Sequence, residues 1–155
     1  MRAPLLAVLT GLLLLLVAPS PVAAEVPVGP STLSPDGRRV AEVRRRGEPG
    51  EGDDALYVDG KLRWSLAPFR RARVEALPVW SKSGDAVAFV ARDAAGVGTL
   101  VVTLVTGAAA PTTLTWRLPA GTIGRSVSWL GPTRVAAGPR ELEPRVIASF
   151  SATAE

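Results

Sequence analysis

Tight-turn signals followed by short apolar strands recur along this chain at nearly constant spacing, and the spacing limits the fold more than any single residue. Leu33-Ser-Pro-Asp-Gly37 precedes Val40–Val43. Trp80-Ser-Lys-Ser-Gly84 precedes a strand carrying Val87, Phe89 and Ala91, and Trp129-Leu-Gly-Pro132 precedes Arg134–Ala137. Leu33 and Trp80 are 47 positions apart and Trp80 and Trp129 are 49 apart, while Val40, Val87 and Val135 are separated by 47 and 48. A period of about 48 with turn–strand–loop–strand content per unit is the pattern of propeller-like blades of short antiparallel strands. The third unit follows it more loosely.

Within each unit the signals are those of strands and turns. Val87, Phe89 and Ala91 share one strand face, because side chains alternate with period 2. Leu100–Val105 is a β-branched run bounded by Gly98 and Gly107, the composition of a buried strand. In Ser34-Pro-Asp-Gly37, Pro35 fixes φ, Asp36 can bond back to the backbone and Gly37 tolerates positive φ; Gly84 serves the same end in the second turn. Asp59-Gly60 between Ala55–Val58 and Leu62–Ser65 is the strongest hairpin signal, suited to a type I′ turn. Strands are further expected at Val40–Arg46, Val74–Trp80, Thr112–Leu118, Ser126–Leu130, Thr133–Ala137 and Val146–Phe150. No stretch after Ala24 carries an apolar period of 3.6 over eleven or more residues. The fold class is therefore all-β: antiparallel blade-like sheets of a partial β-propeller, with no helix in the mature chain.

The first 24 residues read as a signal peptide: Arg2, an apolar core at Leu5–Ala18, two prolines, then Val22-Ala-Ala24 before Glu25. The apolar core is shorter than the ~20 residues of a helical membrane span. With that segment removed, no transmembrane segment is expected, and the protein is expected in the periplasm or secreted. Residues 25–32 read as an extended Pro/Gly-rich lead, and 33–155 as the partial propeller-like repeat domain. The chain has 18 Lys and Arg against 14 Asp and Glu, for a net charge of +4. That excess sits mainly on arginine and reads as a solvated surface rather than a nucleic-acid interface, with an anionic membrane surface as the functional alternative.

The residue inventory restricts the chemistry. The chain contains no His and no Cys, so it can form no disulfide, no Ser–His–Asp or Cys–His pair, and few zinc or transition-metal sites. Glu48, Glu51, Asp53 and Asp54 cluster in a Gly/Pro-rich loop, read as solvated, with a weak calcium site over residues 48–54 as the functional alternative. No catalytic residue, cofactor-binding residue or metal ligand is assigned, and no cofactor is expected. Of the four tryptophans, Trp80 and Trp129 hold equivalent repeat positions and read as core between blades. Trp64 and Trp116 are open to either reading, core or ligand-facing platform.

Leu33-Ser-Pro-Asp-Gly-Arg-Arg-Val-Ala41 and Val79-Trp-Ser-Lys-Ser-Gly-Asp-Ala-Val-Ala-Phe-Val90 resemble the repeat of TolB-like β-propellers, a Trp-Ser-Pro-Asp-Gly turn leading into an apolar strand. Leu100–Gly107 is similar to a later strand of such a blade. The first copy has Leu33 in the tryptophan's place and Glu42 in the phenylalanine's; the second has Lys82 and Ser83 for Pro-Asp; the third keeps Trp129. The resemblance implies an exported propeller acting as a scaffold in envelope complexes, with about three blades in place of six. A non-enzymatic exported binding or scaffolding module of the cell envelope is the resulting expectation. An envelope protein is its expected partner, or a second copy supplying the missing blades. The alternative is a carboxylate-dependent glycan hydrolase or a carbohydrate-binding protein.

Overall fold

A computed structural model describes residues 25–47, 51–65, 71–105, 112–138 and 146–149. The expected signal peptide, Glu48 and Phe150 lie outside the described residues. Twelve strands are assigned and no helix occurs among the described residues. They are β1 (Val26–Pro27), β2 (Thr32–Leu33), β3 (Val40–Arg46), β4 (Asp53–Val58), β5 (Lys61–Ser65) and β6 (Arg73–Trp80). The rest are β7 (Ala86–Arg92), β8 (Gly98–Leu104), β9 (Thr113–Arg117), β10 (Ser126–Gly131), β11 (Arg134–Gly138) and β12 (Val146–Ser149).

Three separate antiparallel sheets form in chain order. The first runs β1-β3-β4-β5 with β2 also on β3, the second β6-β7-β8-β9, and the third β10-β11-β12. The second sheet is a plain meander, the product of short connections between neighbouring strands. At the first hairpin Asp59 and Gly60 both have positive φ, 51° and 72°, as a type I′ turn requires.

The repeat is visible in the registers. Val26↔Arg45, Pro27↔Arg44, Thr32↔Ala41 and Leu33↔Val40 in the first sheet correspond to Arg73↔Arg92, Val74↔Ala91, Val79↔Ala88 and Trp80↔Val87 in the second. Trp129↔Val135 is the matching pair in the third. β1 and β2 together thus lie along β3 as β6 lies along β7. Pro30 falls in the gap between β1 and β2, and Pro78 lies where β6 shifts register, between Ala76 and Val79. A proline cannot donate to the ladder, so both edge strands are interrupted.

The second sheet is buried on both faces, and the sequence of β7 shows how. Ala86, Ala88 and Val90 enter one apolar cluster with Leu100, Val102, Val127, Val135, Ala137 and Ala148, which joins the second sheet to the third. Val87, Phe89 and Ala91 enter the other with Ala41, Leu56, Val58 and Val101, which joins it to the first. Alternation sends successive residues to opposite faces. Small alanines on one side and bulky groups on the other let both neighbours approach. A sheet covered on both faces carries an almost continuous apolar run, here AVAFVA.

The face of the first sheet directed away from the second is different. Leu33, Val40, Glu42 and Arg44 stand where the second sheet has Trp80, Val87, Phe89 and Ala91. Leu33 is 65% exposed, whereas Trp80 is 8% exposed. Arg44 bonds Glu42 and Glu25 and lies 4.6 Å over the Tyr57 ring, while the Tyr57 hydroxyl donates to Glu25. A charged, internally paired face needs no further sheet to cover it.

Candidate functional site

The turns that open each unit follow β2, β6 and β10, edge strands of the three sheets. In the first, the Gly37 amide donates to the Ser34 carbonyl at 2.9 Å, and the Arg39 amide donates to Ser34 Oγ at 2.9 Å. Ser34 Oγ donates to Asp36 Oδ1 at 2.6 Å, and the Arg38 amide also reaches that oxygen at 3.1 Å. The Ser34 hydroxyl, followed by that amide, holds the Asp36 carboxyl below its ordinary range. The second turn repeats the frame. The Gly84 amide donates to the Ser81 carbonyl at 3.0 Å, and Ser81 Oγ accepts from the amides of Asp85 and Ala86. Ser83 stands in place of Asp36, its hydroxyl 3.3 Å from Ser81 Oγ. Gly37 and Gly84 have φ of 68° and 74°, a region that glycine enters without steric cost. Pro35, Asp36, Gly37 and Gly84 are thus all engaged in forming turns.

The tryptophans of the repeat bond from sheet to sheet. Trp80 Nε1 donates to the Thr32 carbonyl at 3.0 Å, and Trp129 Nε1 donates to the Val79 carbonyl at 3.0 Å. In each case the acceptor is the residue just before the equivalent position, Leu33 or Trp80, of the preceding sheet. Trp80 is buried and Trp129 half-buried, packed against the cluster between the second and third sheets. Trp64 is half-buried and meets Phe89 edge to face, centroids 5.0 Å apart at 77°. Trp116 is half-buried against the cluster between the second and third sheets.

Beside Trp129 the third turn departs from the other two. Its register shifts between Trp129 and Gly131, and Gly131 pairs directly with Arg134. The shortened turn leaves Leu130 47% exposed. A cleft of about 310 Å³ lies there, lined by Lys82 and Ser83 of the second turn and by Trp129, Leu130, Gly131 and Pro132 of the third. Its walls include an indole, an aliphatic side chain and a proline ring; apart from the indole N–H, which bonds the Val79 carbonyl, its polar side-chain groups are one ammonium and one hydroxyl. This combination can seat an apolar group and orient it through one charge. The Lys82/Ser83/Leu130/Gly131/Pro132 set was not assigned from sequence, although the departure of the third turn from the other two is legible there.

The acidic stretch is held by arginines. Asp54 is 1% exposed. It accepts from Arg45 at 2.8 and 3.3 Å and from the Val74 amide at 2.9 Å. Asp53 accepts from the Ala72 amide at 2.7 Å, and Glu51 pairs with Arg71 at the surface. Asp53 and Asp54 therefore fasten the first sheet to the start of β6. The Asp54 bond, partly offset by desolvation, raises the Arg45 guanidinium above its ordinary value. Among the described residues no group of three or more acidic side chains is placed to hold a metal ion. Among them, too, no helix is long and apolar enough to cross a membrane.

Searches against protein-family models, curated proteins and solved structures return no match for this chain.

Proposed function

We propose that this protein is a non-enzymatic, exported binding or scaffolding module of the cell envelope, periplasmic or secreted. The observation that supports this reading best is the cleft beside Trp129. It is an apolar recess with one cation, placed on tight turns of two sheets that pack against each other. Binding groups carried on loops over a rigid scaffold are a common arrangement. The resemblance of the Ser34–Gly37 and Ser81–Gly84 turns to TolB-like repeats points to the same role, with an envelope protein as partner.

A photo-crosslinking residue in place of Leu130, in cells producing the full chain, tests this reading. A discrete adduct in the envelope fraction that is missing when the same group replaces the exposed Leu62 is expected. Equal adducts from both positions, or none, would overturn the binding role of the cleft. Export is tested separately by intact mass: the protein recovered outside the cytoplasm should begin at Glu25.

A carbohydrate ligand is the second reading, favoured by the indole of Trp129 at the cleft. Carbohydrate rings stack on aromatic faces, and Trp129 is held in place through its own N–H.

A further inference from the structure

The cleft beside Trp129 carries enough chemistry to name a ligand class, an inference that rests on the binding-module reading above. Three of its six lining residues, Trp129, Leu130 and Pro132, are bulky and apolar, and Leu130 is exposed toward solvent. A side chain inserted there would bury apolar area on both partners. Among the side chains that line the cleft there is no carboxylate and no carboxamide. A glycan, whose hydroxyls need several partners once removed from water, finds a single side-chain oxygen there, that of Ser83.

The single charge in the lining is Lys82. It occupies the exposed second position of the β6–β7 turn, and its ammonium makes no ion pair among the described residues. Its backbone is fixed, because Ser81 and Gly84 on either side close the turn. A cation at the rim of an apolar recess complements an anion held next to an apolar group.

We infer that the cleft binds an extended peptide segment in which a bulky apolar side chain is followed directly by a carboxylate. The apolar group sits against Leu130, Pro132 and Trp129, and the carboxylate pairs with Lys82. Ser83, at the same wall, offers a hydroxyl to the peptide backbone. The consecutive placement follows from size: a recess of about 310 Å³ is larger than one side chain, so the apolar group and the residue next to it lie together within reach of its walls.

The test is a titration of the isotope-labelled protein, as recovered from the producing cell, with two capped dipeptides, acetyl-Leu-Asp-amide and acetyl-Leu-Asn-amide. Backbone amides of Leu130 and Gly131 and the Trp129 indole N–H report on the cleft. The aspartyl peptide should shift these three resonances saturably and bind about 2- to 5-fold more tightly than the asparaginyl one, the ratio expected of a solvent-exposed ion pair. K82Q should abolish that ratio while the other indole resonances stay in place. Equal binding of the two peptides, a ratio that survives K82Q, or no movement at the three reporters would each overturn the inference. Cellohexaose shifting the same reporters when neither peptide does would also overturn it, yet would leave the binding module standing. Loss of that module itself would show as failure of the Leu130 crosslink.

Discussion

Removing the indole of Trp80 should weaken the packing of the first sheet on the second. The side chain is 8% exposed, belongs to the apolar cluster with Val87, Phe89, Leu56 and Val58, and donates to the Thr32 carbonyl. Truncation of a buried tryptophan to alanine costs about 3–5 kcal/mol, through lost transfer energy and the cavity left behind. W80F keeps most of the ring but drops the N–H, so it should cost about 1–2 kcal/mol, the worth of one hydrogen bond plus a little packing. Against a total stability of about 5–15 kcal/mol, the alanine variant gives up a large share. Urea denaturation followed by the fluorescence of the other tryptophans measures both. With a slope of about 2 kcal/mol/M, W80A should shift the midpoint by about 2 M and W80F by less than ~1 M. W129A, at the matching but half-buried position, should fall below W80A. A loss under ~1 kcal/mol for W80A, or equal losses for W80A and W80F, would refute the interlocking role and free Trp80 for a ligand.

Other expectations follow from single contacts. An added methyl at Gly124 would sit 2.6 Å from Val90 Cγ1 in the core, so G124A should cost about 1–3 kcal/mol of overpacking, read by thermal denaturation. The Glu25 carboxyl is held below its ordinary 4.5 by the Tyr57 hydroxyl and, against the cost of desolvation, by Arg44. A depressed carboxylate stabilises the fold fully above about pH 4.5, and that stability is lost as pH falls through the lower folded value. E25Q should therefore flatten the acid limb of a midpoint-versus-pH curve below about pH 4.5, and an unchanged limb would refute this. The first sheet's outer face is charged at Glu42 and Arg44, so sedimentation equilibrium should give a single-chain mass. The double variant L33W/E42F, which copies Trp80 and Phe89 onto that face, should self-associate.

Most of the strand pattern could be read without coordinates, because it rests on local rules. The alternation Val87, Phe89, Ala91 marked a buried strand face, Asp59-Gly60 marked a hairpin, and Val40–Arg46 was delimited to the residue. The spacing of 47 between Leu33 and Trp80 already contained the register that Leu33↔Val40 and Trp80↔Val87 share. Residues 25–32 were legible only as extended. Their two short strands have no period of their own, with Gly29 and Pro30 between them, and only pairing with the far side of β3 makes β1 and β2 the edge strand of the first sheet. The acidic stretch was legible as acidic, but not as a clasp. Burial of Asp54 depends on Arg45 across the ladder and on the Val74 amide from another sheet.

The sequence by itself determined the sheets, since turn chemistry and side-chain alternation act over a few residues at a time. Only the tertiary structure decided which faces meet. It alone stacked Ala88 and Val90 on the third sheet and Phe89 on the first, and left Glu42 facing outward. It alone brought Lys82 to the rim of a cleft beside Leu130, 48 positions away. Contacts between sheets join residues about one repeat apart, and neither backbone propensity nor alternation carries information across that distance.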